Sequence, residues 1–396
     1  MERRQLLKYL SFTPFIGVVK AQEAPVSVTA KRDLFKELGV RTFINAAGTY
    51  TAMTGSLMQD IVVETIAGAS GEFCMLDELQ DKVGEKIAAL VHAEGAVVTS
   101  GAFSAMTLGL AGILTGMDSQ KAEQLPHLEG TGMKSEVICQ KAHEIVYNHA
   151  FLNTGCKMVY IETKEELEAA INERTALLHF LHIQADKGKI KHEEWLAIGK
   201  QHGIPTSIDI AADVPPVSNL WKFNDMGFSF VALSGGKAIR GPQSAGLLMG
   251  KKDIVAAARL SMPPRGSTVG RGMKVNKEEV LGMYMALESF VNRDHEKEWK
   301  VWEAAIAHIE GAVRNLNGIT TTVVVPDLGN VTPTLHMSWD LNKVKLSGKE
   351  LQEKLRKGDP SIEVADVKDS SIVITAWMLK AGQEKIVAAR LKEVLS

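Results

Sequence analysis

The sequence predicts an α/β protein with a large domain on one mostly parallel seven-stranded sheet and a small α+β domain after it. Three observations predict it. From about residue 84, short apolar runs alternate with stretches of helical periodicity, the sequence form of repeated βα units. Past about residue 295 the remaining strands and helices read as a separate, smaller unit. The composition, 396 residues with 45% hydrophobic and 23% charged, is that of a globular enzyme of one large and one small domain.

The seven predicted strands of the large sheet are Gly95–Thr99, Glu136–Gln140, Lys157–Ile161, Ala176–Ile183, Thr206–Ile210, Phe228–Ser234 and Ala245–Met249. Helices are expected between them at Ala102–Leu114, Lys164–Asn172, His192–His202 and Pro216–Phe223. Asn276 is placed to cap an amphipathic run that begins at Lys277 and continues past Ser289, and Trp299–Leu316 is helical in pattern. The small domain should hold strands at Thr320–Val325, Thr334–Trp339 and Ile372–Thr375, with helices at Gly348–Lys357 and Gln383–Leu395. The expected organisation is a signal peptide over residues 1–24, an N-terminal segment over 25–45, a large domain over 46–295 and a small domain over 296–396.

At the start, Arg3-Arg4-Gln5-Leu6-Leu7-Lys8 is a twin-arginine pair followed by an apolar stretch, Tyr9 to Val19, too short to span a bilayer. Val19-Lys20-Ala21 and Ala24 offer cleavage sites. The expected location is therefore periplasmic or exported by the twin-arginine route, with no membrane association after signal removal; a frayed amphipathic helix in a cytoplasmic protein is the alternative. The charge balance, 45 Lys and Arg against 47 Asp and Glu, gives no basic field for nucleic acid or anionic lipid. Cys74, Cys139 and Cys156 lack metal-ligand spacing and read as buried thiols.

The chemistry is concentrated in three segments. In Phe230 to Gly250 a strand runs into Ser234-Gly235-Gly236-Lys237, then into a Gly241-Pro242 turn and a second strand. This fixes one lysine at the mouth of the sheet. Ser234 is within reach of a phosphate, and the glycines let backbone amides approach an anion. Upstream, Thr206-Ser-Ile-Asp209 ends a buried strand in an acid, with Asp213 as the weaker substitute. Such an acid can also simply cap a helix. Further up, Thr99-Ser100-Gly101-Ala102 joins a strand to a helix start, whose free amides and positive dipole end favour an anion. Together the segments supply an anion cradle at Ser100, Gly101 and Ala102, a carboxylate at Asp209 and an amine at Lys237. Those are the contacts pyridoxal phosphate needs at its phosphate, ring nitrogen and aldehyde.

With Leu76-Asp-Glu-Leu-Gln80, the Ser234–Gln243 segment, Gly270-Arg-Gly-Met-Lys-Val-Asn-Lys-Glu-Glu279 and the opening Ile44-Asn-Ala-Ala-Gly48-Thr-Tyr, the chain resembles the selenocysteine-synthase-like pyridoxal-phosphate proteins. That group includes D-glucosaminate-6-phosphate ammonia-lyase-type enzymes, and the likeness covers nearly all of residues 35–395. The resemblance implies a fold-type-I, aspartate-aminotransferase-like architecture and a Schiff base on Lys237. It also implies active sites at a homodimer interface or within a larger homo-oligomer. It suggests His143, in preference to His149, over the cofactor ring, and Gln243 or Arg240 at the cofactor phosphate or a neighbouring subunit. Arg271 and Lys274 would then bind a substrate carboxylate or phosphate.

The function expected on this basis is α,β-elimination of the ammonia-lyase type. The substrate would be an amino acid with a leaving group on Cβ, such as a β-hydroxy amino acid or an amino-sugar acid. The alternatives are a selenocysteine-synthase-like β-replacement transferase, an amino-acid racemase using the same lysine, and an exported binding protein without turnover. The charge balance and an exported location both argue against a charged tRNA partner. No cysteine lies on an evident mobile loop, as a desulfurase would require. The C-terminal strand Ser371–Trp377 lacks the arginine that some fold-type-I enzymes use for the substrate carboxylate, which shifts weight to Arg271.

Overall fold

The computed structural model describes residues 32–396, so the expected signal peptide, with Arg3 and Arg4, lies outside the described residues. Residues 32–42 belong to a unit of their own, in which Asp33 caps a single helical turn, Leu34–Glu37, and Arg32 pairs with Glu37. Everything from Phe43 onward belongs to the other unit.

That unit contains two sheets. The strands are β1 (Ile44–Ala46), β2 (Gly95–Thr99), β3 (Glu136–Gln140), β4 (Lys157–Ile161), β5 (Thr175–Leu181), β6 (Thr206–Asp209), β7 (Phe230–Ser234), β8 (Gly246–Gly250), β9 (Ile319–Val324), β10 (Thr334–Trp339), β11 (Ile362–Lys368) and β12 (Ser371–Thr375). The large sheet has the order β2-β8-β7-β6-β5-β3-β4 and is parallel except for β8, which runs against both β2 and β7. Its strands read as continuous apolar runs because helices cover both faces; β3, β5, β6 and β8 are buried at every position. One face packs Phe180, Trp195, Phe223 and the helix Lys277–Asn292, and the other packs Phe230 against the helix Gly101–Thr115. All seven predicted strands are present, three with the expected bounds and four with ends moved by a residue or two. The capping box predicted at Asn276 is formed with Glu279.

The smaller sheet has the order β1-β11-β12-β10-β9. It takes β1 from near the start of the described chain, paired in parallel with β11. Neither strand was expected. β1 has only three residues, and in β11 a bulge between Ala365 and Lys368 breaks the two-residue alternation by which a strand is recognised. The helix expected at Pro216–Phe223 begins later, at Asn219, because residues 216–218 close a turn in which the Asn219 amide donates to the Pro216 carbonyl. Helices at Asp60–Ser70, Ser119–Gln124 and Lys252–Arg259 are additions to the expected set. No described helix is long and apolar enough to cross a membrane. Cys139 and Cys156 are buried as expected, but Cys74 is exposed, since the turn that follows Asp60–Ser70 leaves it uncovered.

Candidate active site

The site lies at the carboxyl edge of β6 and β7, where parallel strands end and loops begin. Asp209, the last residue of β6, stands beside Leu181 of β5 and Ala232 of β7 and is only 4% exposed. Its Oδ1 accepts a 2.8 Å hydrogen bond from the Ala211 amide. Lys237 follows β7 in a loop closed by backbone bonds from Gly235 N to Ala245 O, Gly241 N to Gly235 O and Arg240 N to Lys237 O, each 2.9 Å. A Cβ on Gly236 would lie 2.6 Å from the Cα of Gln243, so only glycine lets the two arms of this loop meet. Among the described residues the Lys237 amine makes no hydrogen bond or ion pair. Burial pushes its pKa below the ordinary lysine range, while Asp209 and Asp213 pull it back up.

The two acids are opposed in turn. Burial raises Asp209, against the Ala211 amide and the charge of Lys237. Asp213, 1% exposed, is pushed up to about 8 by burial and then by Asp209, with Lys237 and the Gly329 amide acting the other way. Its Oδ1 has no partner among the described residues. Gly329 belongs to the loop between β9 and β10, which also donates from Asn330 N to Ala212 O at 2.7 Å. The smaller sheet is thus tied to the end of β6 beside the lysine.

A pH signature follows for the cofactor-free protein. A raised carboxyl pKa means that the folded chain holds a proton that the unfolded chain releases above pH ~4. The stabilising contribution of Asp213 is therefore complete below pH ~4 and disappears as pH climbs towards 8. In melting curves between pH 5 and 8, wild type should lose stability relative to Asp213→Asn; parallel curves would rule out the assigned shift.

The predicted anion cradle sits beside this loop. Ser100 precedes the helix Gly101–Thr115 without capping it, and its Oγ instead bonds Ser104 Oγ at 2.8 Å. Gly101 turns the chain at φ +84, which favours glycine. Gln80 pins the preceding strand through both of its amide atoms, to Val98 O at 2.9 Å and from Val98 N at 3.1 Å. Gly246 stands opposite both Thr99 and Ser234, and a Cβ there would lie 2.5 Å from the carbonyl carbon of Gly101. Ser234, Gly246 and the Ser100 turn are therefore neighbours.

Two cavities adjoin Lys237. One of about 340 Å³ lies between Thr49, Thr51, Ser234, Gln243 and Ser244, with Gln243 Nε2 donating to Thr51 O at 3.2 Å. The other, about 450 Å³, reaches from Lys237 to Tyr50, Thr334, His336, Asp366 and Thr375. Strand reading did not point to that second wall, because its residues are outward-facing positions of β10 to β12 whose relation to Lys237 depends on chain closure. The opening Ala47-Gly48-Thr49-Tyr50 was the one usable signal. A larger cavity of about 820 Å³ lies beside Thr206 and Ser229, at the opposite end of β6, and contains none of these groups.

The remaining candidates, His143, His149, Arg240, Arg271 and Lys274, do not line the two cavities at Lys237. The contacts of His143 run to β5 and the turn after it. Its Nδ1 accepts from Leu181 N at 3.3 Å, and its ring lies 4.5 Å from that of Phe180. A Cβ on Gly188 would come 2.7 Å from its Nε2, a buried atom without a hydrogen bond. Burial pushes His143 down to about 4, leaving the ring neutral at pH 7. His149 is exposed. Arg240 turns away, with its Nε on Leu57 O at 2.9 Å. Arg271 and Lys274 lie exposed on the turn after Gly270, and neither lines the cavities at Lys237.

A buried acid, an unpaired amine and an uncapped helix start beside a serine fit pyridoxal phosphate on donor chemistry alone. Comparison with known proteins agrees, for the sequence profile of the class-V aminotransferases matches residues 76–280. The chain belongs to the aminotransferase class-V family. This is a family of pyridoxal-phosphate enzymes. Among curated proteins, this class-V chain is 24% identical to D-glucosaminate-6-phosphate ammonia lyase of Salmonella typhimurium, covering 91% of this chain and 98% of that one. It is 26% identical to a 5'-C-glycyluridine monooxygenase-decarboxylase of a Streptomyces species, over 91% and 92%. To L-seryl-tRNA(Sec) selenium transferase of Serratia proteamaculans it is 24% identical over 62% and 56%. The solved structure of D-glucosaminate-6-phosphate ammonia-lyase superposes with a TM-score of 0.79 at 23% identity, covering 92% of this chain and 98% of that one. The class-V fold is thus the fold-type-I, aminotransferase-like architecture.

Proposed function

We propose that this protein is a pyridoxal-phosphate lyase that removes ammonia from an amino acid bearing a β-hydroxyl group, of the β-hydroxy amino acid or amino-sugar acid type. The observation that carries the reading is the Lys237 amine, unpaired and lowered in basicity, beside the two buried acids Asp209 and Asp213. The 24% likeness to D-glucosaminate-6-phosphate ammonia lyase along nearly the whole of both chains supports the reaction class.

Lys237 would be the attachment point, Asp209 the partner of the ring nitrogen, and Ser100, Gly101, Ala102 and Ser234 the phosphate contacts, with Gln243 beside them. When bound, the cofactor supplies an electron-accepting ring that stabilises negative charge at the substrate Cα. Burial disfavours the charged form of Lys237, which suits the amine to take the Cα proton as a general base. Asp209, acceptor-only when ionised, would accept the hydrogen bond of a protonated ring nitrogen. Lys237, carrying the Cα proton, would return it to the β-hydroxyl, which departs as water, and the freed enamine would take up one water to give a 2-oxo acid and ammonia. His143 would act from its pocket on β5 rather than by a hydrogen bond to Lys237, and Arg271 and Lys274 would meet substrate from outside the cavities at Lys237.

The test is to titrate the holoenzyme with D- and L-β-hydroxy amino acids and amino-sugar acids while ammonia and 2-oxo acid are assayed. Equimolar release of both supports the lyase. Turnover that gives a β-substituted amino acid, an inverted Cα or carbon dioxide moves the protein to another class.

Two further parts of the reading concern the whole chain. Leu57 and Met58 just before the helix Asp60–Ser70, Ile61 and Val63 on it, and Phe73 and Met75 just beyond it are exposed. An apolar run of this kind suits burial against a second copy, so the protein is proposed to be a homodimer or larger homo-oligomer. The Arg3-Arg4 motif supports export by the twin-arginine route. Sedimentation of the mature protein recovered from the periplasm checks both, and a cytoplasmic monomer contradicts both.

A further inference from the structure

The 450 Å³ cavity at Lys237 carries an unpaired carboxylate, on a stretch of backbone bent out of regular pairing. β11 pairs Ala365 with Val373 and Lys368 with Ser371, so β11 takes three steps where β12 takes two. The extra residue is a bulge, a device that re-aims side chains next to functional sites. Asp366 occupies it at φ +43, a left-handed conformation that costs a side-chain-bearing residue free energy. Its carboxylate is exposed and makes no hydrogen bond or ion pair among the described residues.

The surroundings of Asp366 are hydroxyl-rich. Tyr50, Thr334 and Thr375 line the same cavity with His336, and Lys237 is the one Lys or Arg on its wall among the described residues. Burial, and after it the charge of Asp366, raises the Tyr50 phenol above the ordinary range. A carboxylate accepts hydrogen bonds and repels a second anion. With Lys237 committed to the cofactor, a phosphate ester on the substrate tail would face Asp366 without a compensating cation from this wall. A free hydroxyl would instead donate to Asp366 in a charge-assisted bond.

We propose that Asp366 is the specificity residue for the substrate tail, and that the site takes a 2-amino acid whose polyhydroxylated tail ends in a free hydroxyl rather than a phosphate ester. This rests on the amino-sugar-acid form of the elimination reading.

The experiment uses holoenzyme with D-glucosaminate and D-glucosaminate 6-phosphate as probes, recording ammonia release and, independently of turnover, the melting shift each compound produces. Wild type should favour the free sugar acid in kcat/KM by about tenfold or more. Asp366→Asn keeps the side-chain shape and tolerates positive φ. It should raise KM for the free sugar acid about tenfold, leave kcat within a few-fold and shrink the discrimination against the ester. Asp366→Gly, which relaxes the backbone, should show the same loss of discrimination. A merely structural role would instead lower both rates together with the melting temperature. Wild type that prefers the ester, or discrimination unchanged in both folded variants, overturns the role of Asp366 alone. Neither ammonia release nor a melting shift with either compound overturns the substrate class and the proposal with it.

Discussion

Lys237→Ala should abolish the visible absorption band of the cofactor-loaded protein and lower ammonia release by at least roughly 10²–10⁴-fold, the range for loss of a positioned general base. The lysine sits in a loop closed by its own backbone hydrogen bonds, so truncation leaves the loop standing. No second lysine lines either cavity at the site to take over. Partial rescue by a small external amine would locate the loss at the amine itself. Retention of the band in the variant would remove Lys237 as the attachment point.

The second large effect is expected at Asp209. Asp209→Asn preserves size and the acceptor for Ala211 N but removes the charge that would hold a protonated ring nitrogen. Turnover should fall by roughly 10²–10⁴-fold, while cofactor still attaches to Lys237, so the visible band persists with its pH dependence altered. The same substitution withdraws the stronger of the two acidic influences that raise Lys237, so the amine should lose its proton at lower pH than in wild type. An active Asp209→Asn enzyme with an unchanged pH profile would contradict the assignment and transfer the role to Asp213.

What could be read in advance was local. The continuous apolar strands announced a sheet covered on both faces, and the Ser-Gly-Gly-Lys and Ser-Gly-Ala turns announced their own geometry, because glycine spacing and helix starts are properties of neighbouring residues. The position of Asp213 shows the limit. Four residues beyond Asp209 it reads only as the weaker substitute for that acid, and only the Gly329 amide, arriving from a loop more than a hundred residues later, shows it to be a buried acid beside the lysine. Asp366 was hidden for a related reason: a bulge removes the alternation by which a strand is recognised, so the residue that most depends on the strand's geometry looks like part of a loop. His143 was legible as a strand-end histidine, but its neighbours Phe180 and Gly188 were not.

The pairing of Ile44 with Ile362 also constrains how the molecule is made. A chain leaving the ribosome at ~5–20 residues per second exposes its first strand roughly 15–60 s before the partner strand exists. During that interval β1 is a short apolar segment with no sheet to join, while β2 through β8 can already associate among themselves. Completion of the smaller sheet, and with it the docking of Gly329 against Asp213, is therefore a late event that requires nearly the whole chain. Ribosome-stalled chains ending before β11 should have the large sheet and an incomplete catalytic wall.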